Sequence, residues 1–126
     1  MNTFKKILAS VALAAISSSA FAVANPTYEE VQIAIDNTLN KVQESKVALD
    51  SGTDTEAVIA MVTDARQLQK DISNNVLDLK RNQASNVLKQ ARAALLKNEI
   101  AEAKESLNDA LNRYKEIKQL YLSNHS

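Results

Sequence analysis

Beyond residue 26 the chain holds one glycine, Gly52, and no proline. A chain so poor in turn residues cannot make the many tight reversals of an all-β fold, and it lacks runs of β-branched residues as well. Ala, Leu, Lys, Glu, Gln and Asn dominate, and most of these favour helix. There is no Cys and no Trp, so no disulfide framework can hold the fold. Stability must come from helices packed on one another, and the fold class expected is all-α.

Apolar spacing divides the chain into helices. Thr27-Tyr28-Glu29-Glu30 has the form of a capping box: the Thr hydroxyl can accept the N3 amide while Glu30 reaches back to the Thr27 amide. Glu29 and Glu30 also suit the positive end of the helix dipole. Val31, Ile35, Leu39, Val42 and Leu49 follow at three- and four-residue steps, which is one helical stripe. Asp50-Ser51-Gly52 ends it, with Gly52 suited to the left-handed position just past a helix. Thr53-Asp54-Thr55-Glu56 repeats the capping-box form, and Val58, Met61, Val62, Ala65, Leu68 and Ile72 make the second stripe. Ser73-Asn74-Asn75 reads either as a turn, with Asn75 capping a third helix and Asp78 at N3, or as the interior of one long helix. The third stripe is Leu77, Ala84, Val87, Leu88, Ala91 and Leu95. Lys97-Asn98-Glu99 turns the chain, with Asn98 a candidate left-handed residue. Ile100, Ala103, Leu107, Ala110, Leu111, Tyr114, Ile117 and Tyr121 form the fourth.

The two halves resemble each other at an offset of 45 residues. Val42 then matches Val87, Val62 matches Leu107, Asp64-Ala65 matches Asp109-Ala110, and Ile72 matches Ile117. This predicts two helical hairpins packed as an antiparallel up-down-up-down four-helix bundle over residues 23–122, with a flexible tail at 123–126.

The N-terminus reads as a secretory signal peptide, residues 1–22. Lys5 and Lys6 precede an apolar run at 7–16, then Ser17, Ser18 and Ser19, then Ala20-Phe21-Ala22, an A-x-A cleavage signature. Ala22-Val23-Ala24 offers a second cut. Cleavage is expected after Ala22 or Ala24. The apolar run is about ten residues, and a spanning helix needs about 20. No Cys follows, which excludes a lipoprotein. The expected location is the periplasm or outside the cell, with no transmembrane segment after cleavage. Loss of the two lysines leaves 13 basic against 15 acidic residues, a charge of −2 that argues against nucleic acid as a partner.

Signal peptide, cysteine-free mature chain and two helical hairpins together resemble the small periplasmic four-helix bundles: soluble cytochrome b562 and the small metal-binding proteins of Gram-negative bacteria. The segments Asn98-Glu99-Ile100-Ala101-Glu102-Ala103-Lys104 and Asp50-Ser51-Gly52-Thr53-Asp54 carry the resemblance, which is one of architecture. The ligands of those families do not carry over. A haem site of the b562 kind needs a Met early in the first helix and a His in the last; Met61 lies in the second helix and reads as a core gap-filler. The one His, His125, sits in the tail, so a copper, nickel or zinc site lacks its usual imidazole or thiolate ligands. No cofactor is expected.

Carboxylates are the remaining candidate metal ligands. Glu99, Glu102, Glu105 and Asp109 lie along the fourth helix and suit only weak hard-cation binding; their simpler reading is a solvated face. Catalysis has less support still: no Cys nucleophile, no Ser-His-acid set and no glycine-rich phosphate loop. The chain is not expected to be an enzyme. Two functions are expected instead. One is a binding or structural role in the cell envelope toward a protein or peptide partner, with Tyr28 and Tyr121 as contact candidates if exposed and Tyr114 as core. The other is binding of a small ligand or metal ion. Self-association through an uncovered stripe fits the same pattern.

Overall fold

The computed structural model describes residues 27–124. The apolar stripes become four α-helices: α1 (Tyr28–Asp50), α2 (Thr55–Leu68), α3 (Asp78–Leu96) and α4 (Ile100–Asn124). A 3-10 turn, Gln69–Asp71, continues α2. The signal segment with its cuts after Ala22 or Ala24, and His125, lie outside the described residues. The tail expected from Ser123 is shorter at its start, because α4 includes Ser123 and Asn124.

The first helix start is as expected. Thr27 Oγ1 accepts from the Glu30 amide at 3.1 Å, and the Thr27 amide donates to Glu30 Oε1 at 3.3 Å. The second capping box does not form. The Thr53 amide is committed to Ala48 O, closing the preceding helix, and Asp54 takes the cap position without a side-chain bond. At α3 the side chain that holds the turn is Asn74, one residue before the Asn75 expected. Its Oδ1 accepts from the amides of Val76 and Leu77. Residues 72–77 are therefore a break, and the single long helix is not the one formed.

The connections from α1 to α2 and from α3 to α4 use the same device. Gly52 has φ +80° and Asn98 φ +59°. At each, the residue after the left-handed one bonds back five residues: Thr53 N to Ala48 O at 2.9 Å, Glu99 N to Ala94 O at 2.8 Å. The left-handed residue itself bonds to Leu49 O in one case and Leu95 O in the other, completing a Schellman motif each time. Gly52 and Asn98 are 46 residues apart. After the reversal, α2 starts at Thr55 and α4 at Ile100, 45 residues apart, because the first reversal carries one extra residue. The sequence match at 45 therefore holds for the second helix of each pair. There Val58, Val62, Ala65, Gln69 and Ile72 correspond to Ala103, Leu107, Ala110, Tyr114 and Ile117, every one buried. For the first helix of each pair the offset is 46, so Val42 corresponds to Leu88 and not to Val87.

The helices pack round a ring: α1 on α2, α2 on α3, α3 on α4, and α4 on α1, with α2–α3 the sparsest seam. The core lies inside the ring and is built largely from small and mid-sized apolar residues. Of the stripe residues, Leu39, Met61, Leu68 and Ile100 are half-buried at its edge. Thr38 and Ser45 are buried on α1, and their hydroxyls donate to the carbonyls four residues earlier at 2.7 and 2.8 Å, so neither needs a partner helix.

The two left-handed residues give a direct test. A Cβ at Gly52 would meet nothing within 4 Å, so Gly52→Ala carries a backbone cost alone, about 1 kcal/mol. Asn98→Gly should change stability by less than about 0.5 kcal/mol. Urea denaturation of both variants measures the two values, and equal losses would contradict this account of the reversals.

Candidate functional site

The expected carboxylate ligands are not brought together. Glu99, Glu102, Glu105 and Asp109 are all exposed, and Asp109 is held by Arg113 Nε at 3.0 Å on its own helix. Among the described residues no three His, Asp or Glu side chains form a group able to hold a metal ion. The physical reason is that all four acids come from one stretch of chain, Glu99 just before α4 and the other three along it, and the helix rises about 1.5 Å per residue. Their side chains fan outward, and no second helix supplies a facing ligand.

Tyr121 is also placed differently from a surface anchor. It is 3% exposed, its ring stacks on Tyr28 with centroids 4.9 Å apart, and its hydroxyl donates to Tyr28 O at 3.0 Å. The pair latches the start of α1 to the end of α4, and Asp36–Lys118 at 2.9 Å adds a half-exposed ion pair across the same seam. Tyr28 keeps 38% of its surface. Of the two contact candidates, only Tyr28 presents area to a partner.

The distinctive chemistry lies elsewhere, in buried polar groups without hydrogen-bond partners. Gln69 and Tyr114 occupy corresponding positions of the two helix pairs and are 6% and 0% exposed. Tyr114 Oη and Gln69 Oε1 are buried without a hydrogen-bond partner, as are Nε of Arg66 and Nε of Arg81. Arg66 lies one turn before Gln69 on α2. Arg81 reaches from α3 across the seam, its Nη1 donating to Lys70 O at 3.4 Å while Nη2 stands 3.9 Å from Asp78. Burial pushes the Tyr114 hydroxyl well above the ordinary phenol range, and the charges of Arg81 and Arg66 act in the opposite direction. An unpartnered buried polar group costs about 1–3 kcal/mol, whereas the buried hydroxyls of Thr38 and Ser45 are bonded within α1.

Tyr114 was visible in the sequence only as a stripe residue, and Arg66, Gln69 and Arg81 were not singled out. One signal was present. Gln69 falls on the Val58–Val62–Ala65–Ile72 stripe, where a polar residue is out of place.

A shallow depression of about 490 Å³ on α4 is lined by Asn112, Lys115, Glu116, Lys118, Gln119 and Leu122. All six come from one helix, so it has no second wall. No helix of the described residues is long and apolar enough to cross a membrane. No protein-family model matches the chain, and neither a curated protein nor a solved structure matches it significantly.

The buried phenol makes stability depend on alkaline pH. Its folded pKa is raised above the ordinary phenol value of 10.0, so its contribution is intact below pH 10 and falls as pH rises above it. Relative to wild type, Tyr114→Phe should gain roughly 1 kcal/mol per pH unit above 10. Denaturant midpoints of the two proteins between pH 9 and 11.5 check this, and parallel pH curves would refute it.

Proposed function

We propose that this chain is exported and acts in the cell envelope as a non-enzymatic helical bundle with a binding or structural role. The observation that carries the reading is the separation of two parts. The secretory pattern ends at Ala22 or Ala24, and the capping box that opens α1 begins at Thr27. Cutting after either alanine removes no residue of the described helices. A leader that can be discarded without touching the fold behaves as an address rather than as structure.

The proposed topology is antiparallel, up-down-up-down, the arrangement of the small periplasmic four-helix bundles that the chain resembles. The ring of neighbour contacts supports it. So do Tyr28 against Tyr121 and Asp36 against Lys118, which set the start of α1 beside the end of α4. Lys80–Glu116 at 3.0 Å similarly sets the first part of α3 beside the later part of α4.

A protein or peptide partner would find apolar groups at the surface near the α2–α3 connection. Val76 is 73% and Leu79 69% exposed, one helical turn apart. Replacing both by Ser should move stability by no more than about 0.5 kcal/mol, yet should abolish crosslinks to a partner that covers them. Crosslinks of undiminished yield would move the contact elsewhere, with Tyr28 next in line.

Export has a direct readout. Expressed with its own N-terminus in a Gram-negative host, the protein should be recovered from the periplasmic fraction with an N-terminus at Val23 or Asn25, read by intact-mass spectrometry. Recovery of the uncut chain in the cytoplasm would overturn the reading. Native mass spectrometry of the same sample separates the two roles. A chain without bound mass supports the interaction role, and a metal or organic ligand of defined mass supports the small-ligand reading.

A further inference from the structure

We propose that the outward face of α3 is a docking surface for the outward face of α1 on a second copy of this chain, so that copies join head to tail. The inference supplies a partner for the binding role proposed above and rests on that reading, though not on export.

Three observations carry it. The first is a pattern outside the core. Ile33, Asn40 and Val47 lie on α1 at seven-residue spacing, which keeps them on one helix face. All three are exposed, Ile33 by 57% and Val47 by 52%. The offset of 46 residues that relates α1 to α3 carries them onto Leu79, Asn86 and Ala93, and these are exposed as well. An apolar–amide–apolar stripe thus recurs on the outside of both helices. Burial explains why the inner faces of the two halves match. It places no such demand on residues at the surface.

The second observation is charge. α1 holds Glu29, Glu30, Asp36, Glu44 and Asp50 against Lys41 and Lys46, a charge of −3. α3 holds Lys80, Arg81, Lys89 and Arg92 against Asp78, a charge of +3. The other two helices are close to balance, −1 on α2 and 0 on α4. Among the described residues, neither Lys89 nor Arg92 has an ion-pair partner. Lys89 stands within a turn of both Asn86 and Ala93, beside the stripe. Pairing α1 with α1, or α3 with α3, sets like charges together; pairing α1 with α3 sets opposite charges together.

The third observation is placement. In the ring, α1 packs on α2 and α4, and α3 packs on the same two helices. α1 and α3 therefore lie on opposite sides, and their outward faces point away from each other. One copy cannot close the two faces on itself, and a joined pair leaves one face of each kind open. A heterologous contact of this sort adds copies in a row rather than closing a two-fold dimer. The stripes are narrow and polar at their middle, so charge drives the association and salt weakens it.

Sedimentation equilibrium of the mature chain, which keeps every described residue, tests this. Average mass should climb past the dimer with protein concentration at about 10 mM ionic strength, where charges act over about 30 Å, and fall to the monomer at about 1 M, where they act over about 3 Å. Glu29→Lys with Glu44→Lys reverses the sign of α1, and Lys89→Glu with Arg92→Glu reverses that of α3. Each double variant alone should stay monomeric. Mixing the two should restore the long species, because each offers the face the other lacks. A monomeric wild type at low salt, a dimer as the largest species, or association lost in only one double variant would overturn the proposal. Should a charge variant fail to fold, introduced cysteines decide, since the chain has none of its own. Asn40→Cys and Asn86→Cys, mixed under air oxidation at low salt, should give the mixed disulfide in clear excess over either homodisulfide, and like-with-like pairing refutes the contact. A purified monomer that crosslinks in cells to another polypeptide overturns this partner and leaves the binding role standing.

Discussion

Two left-handed residues govern how the rest of this molecule comes together. Gly52 and Asn98 each end a helix in a Schellman motif and redirect the chain into the next helix. No disulfide holds the halves together. The register between paired helices therefore follows from where each helix stops and how many residues are spent before the next begins. One extra residue in the first reversal shifts the correspondence of the halves from 46 to 45. Most buried positions of the two halves follow that shift, though Ile35 falls against half-buried Arg81 and Leu111 against half-buried Arg66.

The core that results is made of small side chains at close approach. Ala65, Ala84, Ala91, Ala103 and Ala110 are all fully buried, and helices that meet through alanine can pack closely with little rotamer entropy lost. Against this background the buried polar groups of Gln69 and Tyr114 are a marked departure. Apolar residues of similar volume would avoid the desolvation cost.

Much of the fold was legible in residue spacing. The capping box at Thr27, the left-handed Gly52 and Asn98, and nearly every stripe residue depend on neighbours within a turn, and those neighbours are written in the sequence. The second capping box was misread because the Thr53 amide had a competing use in closing α1. Asn75 was misread because Asn74 could bond two amides of the turn at once. These errors share a cause: a local motif loses when an adjoining element claims the same backbone group.

The candidate site was far less legible. Local periodicity determined that this chain forms helices, where they begin and end, and which face of each is buried, because those properties rest on contacts at three- and four-residue spacing. Which residues face each other across the core was decided only by tertiary structure. Tyr121 went from possible surface anchor to buried latch because α1 brought Tyr28 beneath it. Glu99, Glu102, Glu105 and Asp109 stayed apart because no second helix approached their face. Arg81, unremarkable on its own helix, reaches Lys70 O beyond the end of α2 because packing set α2 and α3 side by side. Spacing along one helix carries no information about that meeting; only packing does.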